Sequence, residues 1–154
     1  MANTKQTTLC YIIDDHKWLM LYRNKKEDDI NFGKWIGVGG KVEEGETPKE
    51  CVIREINEET GFNVKDVKYR GLVHFGFGDD IDEDMYVYTC HSFTGNLKEC
   101  NEGEFAWIDE KDLFELNMWE GDKIFLNKLL EDSDEVFELE LKYDTDYKLI
   151  YTEN

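Results

Sequence analysis

The chain has 154 residues, enough for one domain with a proper core, and 40% apolar with 14% aromatic content marks globular material rather than a disordered tail. Its net charge of −18 is opposite in sign to that of proteins that grip nucleic acid polymers, so a polymer substrate is not expected. No apolar run reaches the roughly 18 residues of a membrane span, and residues 1–8 are polar and lack a secretion signal's apolar stretch, so a cytoplasmic address is expected.

In chain order, residues 8–13 and 18–22 read as strands around a turn at 14–17. Residues 33–45 are glycine-rich and hold the short extended pair Trp35-Ile36. Residues 47–60 read as a helix, with Thr47 as N-cap, Pro48 at the first helical position, Glu50 completing a capping box and Gly61 ending it. Residues 67–77 and 85–93 are β-branched and aromatic and read as strands, joined by an acidic loop at 79–84. Residues 104–108 read as a short strand, 119–130 as a second helix, and 136–143 with 147–152 as a closing hairpin. Strands interrupted by two helices make an α/β or α+β domain whose mixed sheet is covered on both faces. Repeats are absent and Pro48 is the sole proline, so a single domain over 1–154 is expected.

Cys10, Cys51, Cys90 and Cys100 include no CxxC pair, and buried reduced thiols are expected. His16, His74 and His91 have no Ser or Cys motif beside them and read as structural.

The helix at 47–60 carries the chemistry. Glu55, Glu58 and Glu59 stand at i, i+3 and i+4 and share one face, while Ile53, Ile56 and Thr60 form a neighbouring apolar face with Val52 at its margin. Like charges so placed destabilise a helix, and a hard, oxygen-seeking cation would offset the repulsion. Alone, an acidic helix face in an acidic chain is ordinary solvated surface. Here the context differs. Gly37-Val38-Gly39-Gly40 lets the backbone approach a ligand closely, Glu46 precedes the helix, and Arg54 sits beside the cluster.

The pattern is Gly40, five residues, Glu46, seven residues, Arg54-Glu55-Ile56, one residue, Glu58-Glu59, one residue, then Gly61-Phe62. It resembles the Nudix box at every defined position, and a chance match is on the order of 10⁻⁸ per starting point. The resemblance implies a loop–helix–loop metal site in an α/β/α sandwich, with Mg²⁺ (or Mn²⁺) as cofactor. It implies Glu55, Glu58 and Glu59 as metal-binding carboxylates, the Gly40 carbonyl as a further ligand, and Glu46 and Arg54 as residues that orient them. The reaction implied is attack of water on a bridging diphosphate phosphorus.

Over residues 8–143 the chain also resembles the nucleotide-pool-cleaning, MutT-like branch of that family. Leu21-Tyr22-Arg23-Asn24-Lys25-Lys26 is similar to its strand end, which implies Arg23 as a phosphate contact. Asn101-Glu102-Gly103-Glu104-Phe105-Ala106-Trp107 resembles its later acidic strand entry, and implies that Glu102 completes the metal site or acts as base, with Glu104 as the alternative. The order of candidates for the proton acceptor is Glu58, Glu102, Glu55. Met118-Trp119-Glu120-Gly121-Asp122 resembles the base-recognition segment, implying that Trp119 stacks a purine and Asp122 bonds its edge. Gly39 is placed against the substrate, and Phe75, Phe77 and Met85 against its apolar wall or in an ordinary alternating core. Gly121 and Ile36 depart from the branch, which has Asp and Asn there.

The proline markers of the ADP-ribose and NADH branches are absent, and Phe77, Gly78 and Asp79 stand where the dinucleoside-polyphosphate branch favours tyrosine. The expected function is therefore Mg²⁺-dependent hydrolysis of purine nucleoside triphosphates, oxidised ones such as 8-oxo-dGTP above all, to a nucleoside monophosphate and pyrophosphate. The expected partner is a small nucleoside polyphosphate, with no nucleic acid polymer and no membrane, and the protein is a monomer or homodimer. The rival readings are hydrolysis of another diphosphate (nucleotide sugar, ADP-ribose or dinucleotide) and a Nudix-fold ligand sensor without turnover.

Overall fold

The computed structural model describes residues 4–78, 80–131 and 133–153. Strand β1 (Lys5–Asp14) turns through Asp15 and His16, both at positive φ, into β2 (Lys17–Tyr22). The short β3 (Trp35–Ile36) leads through the glycine-rich segment to helix α1 (Pro48–Thr60). There follow β4 (Lys68–Phe77), β5 (Asp80–Cys90), β6 (Glu104–Asp109), a 3-10 helix (Glu110–Glu115), α2 (Glu120–Leu130), β7 (Phe137–Tyr143) and β8 (Leu149–Glu153).

The strands run in the order β3-β2-β1-β5-β4-β7-β8, with β6 paired to β2. β1 is parallel to β5 and β4 to β7, while the other pairs are antiparallel, so the sheet is mixed. Alternation along β1 sorts the layers. Cys10 and Ile12 join Val52 and Ile56 of α1 in one core, whereas Leu9, Tyr11 and Ile13 join Phe125 and Leu126 of α2 in the other. The two helices thus cover opposite faces, as the sandwich expectation requires.

Helix α1 begins and ends where its sequence says. Thr47 Oγ1 accepts from the Glu50 amide at 3.1 Å, Glu50 accepts from the Thr47 amide at 2.9 Å, and Gly61 closes the helix at φ 85°. Cys51, Val52, Ile56 and Thr60 are buried, so Ile56 and Thr60 face the core as expected, while Val52 and Cys51 lie within that face and Ile53 is at its margin. The expected acidic loop at 79–84 is corrected: β5 already begins at Asp80, because Glu83 and Asp84 pair with β1 and β4. Asp79 lies outside the described residues.

All four cysteines are free and buried, as expected. His74 bridges carboxylates of two neighbouring strands, Asp84 on β5 through Nδ1 and Glu138 on β7 through Nε2. Among the described residues no helix is long and apolar enough to cross a membrane.

Candidate active site

Residues 37–42 lie along β1. Cys10 and Val38 exchange both backbone hydrogen bonds (2.6 and 2.9 Å), and the Thr8 amide donates to the Gly40 carbonyl at 2.8 Å. A Cβ on Gly40 would fall 2.5 Å from both Cδ and one oxygen of Glu55, so glycine is what lets this carboxyl lie against the loop.

Arg54 organises the acids around it. Its guanidinium meets Glu46 at 2.7 Å, Glu55 at 2.9 Å, Glu58 at 3.1 Å and the Lys41 carbonyl at 3.2 Å. Its hydrogen bonds hold the Glu46 carboxyl down at about 2, with the Glu43 amide adding to the effect. Glu55 is pushed above the usual carboxylate range by burial, against the pull of Arg54.

Glu59 points inward and accepts from the Gly39 amide at 3.2 Å. Burial foremost, with the nearby charges of Glu55 and Glu102, raises it to about 8, although the Gly39 amide and Arg23 oppose the shift. Glu58 instead sits on the rim, with its side chain 56% exposed. The helical face expected to hold three carboxylates together therefore sends two inward and one to solvent.

Glu102 comes from the turn before β6, and its carboxylate lies 3.3 Å from Arg23, which also meets Asp29 at 2.6 Å. Oxygens of Glu59 and Glu102 and the Cys100 sulfur all lie within 4.8 Å of one another. Among the described residues, no Lys or Arg side chain hydrogen-bonds or ion-pairs with Glu59. Crowded, half-buried carboxylates, among which Glu59 has no contacting cation, stand beside a loop carbonyl and form the donor set that a hard divalent ion takes. The residues present therefore fit such an ion.

On the other face of β1 is a cavity of about 210 Å³ lined by Leu9, Ile36, Phe75, Met85, Trp119 and Asp122. Trp119 Nε1 donates to Asn31 Oδ1 at 2.8 Å, and Lys34 Nζ stands 4.8 Å from the indole centroid. Asn31 also lines the cavity. It gives no sequence signal, because it lies in an irregular loop 88 positions from the indole it orients. The Gly121 departure has a structural cause: a Cβ there would stand 2.5 Å from Tyr143 Oη and 2.8 Å from Leu141 Cδ1, so no aspartate fits. Ile36 makes its part of the wall apolar.

Asp122 is 7% exposed, and burial lifts its carboxyl to about 7 although Lys34 pulls it down. The folded protein thus binds this proton more tightly than the unfolded chain, and loses stability as pH rises from the ordinary 3.8 to about 7. Asp122→Asn is expected to raise Tm at pH 8 and leave it nearly unchanged at pH 4. Equal shifts at both pH values in thermal melts would mean that Asp122 is ionised throughout.

The NUDIX domain profile matches residues 3–129. The mutator MutT protein of Bacillus halodurans superposes with a TM-score of 0.86 at 28% identity, covering 97% of this chain and 96% of that one. The Nudix hydrolase YvcI of Bacillus subtilis is 33% identical over 84% of this chain and 82% of its own length. The oxidized purine nucleoside triphosphate hydrolase of Danio rerio is 28% identical over 85% of this chain and 83% of its own. The matched profile and the whole Gly40–Phe62 box place this chain in the NUDIX domain family, as a Nudix hydrolase.

Proposed function

We propose that residues 1–154 act as one hydrolase domain that converts a purine nucleoside triphosphate and water to a nucleoside monophosphate and pyrophosphate, with 8-oxo-dGTP and related oxidised purines as substrates. The observation that carries this reading is the adjacency of the two half-sites. Thr8 bonds the Gly40 loop beside the carboxylates, and Leu9, the next residue, lines the apolar cavity of Trp119 and Asp122. The likeness to the Danio rerio enzyme supports the same substrate class.

Glu55, Glu58, Glu59 and Glu102, with the Gly40 carbonyl, hold divalent metal, Mg²⁺ by preference and Mn²⁺ in its place. A bound divalent cation neutralises phosphate oxygens and makes water a better nucleophile. Glu58, solvent-facing and anchored by Arg54, accepts the proton of the attacking water. Arg54 and Glu46 fix the inner carboxylates, so a change in either acts through position. Arg23 turns from Glu102 to the substrate phosphates, and Gly39 lets the backbone approach them. Trp119 and Phe75 face the base, and Asp122 bonds its edge. The net charge of −18 fits a small, metal-neutralised substrate better than a polymer. A cytoplasmic monomer or homodimer completes the reading.

The apolar wall at Ile36 and the closed space at Gly121 favour one alternative within the enzymes, a nucleoside diphosphate derivative with a less polar base contact. The test is release of pyrophosphate and phosphate with Mg²⁺ across 8-oxo-dGTP, the dNTPs, ADP-ribose, NADH and a diadenosine polyphosphate. Preference for 8-oxo-dGTP with pyrophosphate as product is expected. Preference for ADP-ribose or a dinucleotide would discard the base assignment and keep the carboxylate site. Tight binding with no turnover would make the chain a sensor.

A further inference from the structure

Cys100 stands beside the carboxylates without a part in the proposed hydrolysis. The turn that carries it is firmly seated. Cys100 and Gly103 form a bridge, and Lys25 Nζ donates to the Cys100 carbonyl at 2.8 Å. A Cβ on Gly103 would lie 1.9 Å from the Tyr22 carbonyl oxygen, so this glycine packs directly on the end of β2. This anchoring brings Cys100 Sγ to the oxygens of Glu59 and Glu102, all within 4.8 Å of one another.

Two observations bear on this thiol. Cys100 is 7% exposed, and among the described residues its sulfur has no hydrogen-bond partner. The Cys51 sulfur meets Thr8 and the Gly40 carbonyl, and the Cys90 sulfur the carbonyls of Asp66 and Ser92, while the equally unpartnered Cys10 belongs to no carboxylate cluster among the described residues. A buried, unpartnered thiol therefore converges with Glu102 of its own turn and with Glu59 of α1.

Mg²⁺ gains little from sulfur, whereas Zn²⁺ and Co²⁺ take thiolate and carboxylate together. Around a tetrahedral ion of that class, sulfur and oxygen ligands lie about 3.5–3.7 Å apart. With all three atoms within 4.8 Å of one another, the gap to close is about 1 Å at most.

We propose that Cys100, Glu59 and Glu102 form a mixed sulfur–oxygen site that takes a thiophilic divalent cation, of the Zn²⁺ or Co²⁺ kind, in preference to Mg²⁺. The proposal rests on the reading of Glu59 and Glu102 as cation ligands. Binding forms a metal–sulfur bond, and the thiol proton passes to solvent without change of oxidation state. Because both carboxylates serve either ion, a thiophilic cation there displaces Mg²⁺ and inhibits hydrolysis.

Cobalt reports the bond directly. Co²⁺ added to the reduced, full-length protein should produce a near-ultraviolet thiolate-to-cobalt charge-transfer band that saturates at one ion. The band should vanish in Cys100→Ser and persist in Cys51→Ser. Cys100→Ser should weaken Zn²⁺ and Co²⁺ about tenfold or more, and change Mg²⁺ affinity less than about twofold, by calorimetric titration. Cys100→Ala serves if a buried serine disturbs the turn. Co²⁺ binding that requires Glu59 but shows no band would overturn the role of Cys100 and leave the carboxylate reading standing. Unaltered Co²⁺ and Mg²⁺ binding in Glu59→Gln would overturn both.

Discussion

Glu58→Gln is expected to lower kcat by about 10²–10⁴-fold while moving Tm by less than about 3 °C. The side chain is 56% exposed, and its contact with Arg54 at 3.1 Å is one of several that Arg54 makes. An exposed pair of this kind contributes about 0–1 kcal/mol to stability. Removing the charge therefore leaves Arg54 fixed by Glu46 and Glu55, and with it the inner carboxylates. Steady-state kinetics beside a thermal melt separate the two quantities. Undiminished kcat would remove Glu58 from the machinery and pass the proton-accepting role to Glu102, then Glu55.

Gly39→Ala tests the backbone half of the site and is expected to cost about 3 kcal/mol, or about 6–12 °C in Tm. The added Cβ would fall 1.9 Å from the Thr8 carbonyl oxygen and 2.9 Å from the Leu9 Cα. Both are main-chain atoms of β1, so no rotamer relieves the clash. The loop must lift, which breaks the bond from Thr8 to Gly40 and withdraws the Gly39 amide from Glu59. The variant should accordingly bind Mg²⁺ more weakly as well as melt earlier, by calorimetry on the folded protein below its new Tm. A Tm equal to the parent's would mean that the loop is not held as tightly as its hydrogen bonds imply.

Helix α1 was legible because its signals are local. Thr47, Pro48, Glu50 and Gly61 act within one or two turns of themselves, and the structure shows each in its expected place. The strand expected over 85–93 is present as far as Cys90, and the one expected over 104–108 lies within β6. Residues 80–84 were not legible, since their acidity argues for a loop while long-range pairing with β1 and β4 makes them strand. The 3-10 helix escaped because its six residues bury only Leu113, too little to leave a period. The candidate site divides along the same line. The shared face of Glu55, Glu58 and Glu59 together with the resemblance to the Nudix box draws attention to them and to Glu46 and Arg54, but the outward turn of Glu58 depends on how α1 packs. Asn31 reaches its place through a contact far apart in sequence that nothing beside it signals, whereas Cys100 adjoins the acidic segment at 101–107 but meets Glu59 only through the fold.

The pleat of β1 places the loop-anchoring Thr8 and the cavity-lining Leu9 on opposite sides of one peptide unit. Under the proposed function, substitutions on the cavity side can recast which base is accepted while the opposite side keeps its hydrogen bonds to Gly40, because neighbouring side chains of a strand do not share an environment. Drift in selectivity is thereby uncoupled from the reaction. The same arrangement is intolerant in another respect: sliding β1 by a single residue would exchange its two faces and dismantle both halves together.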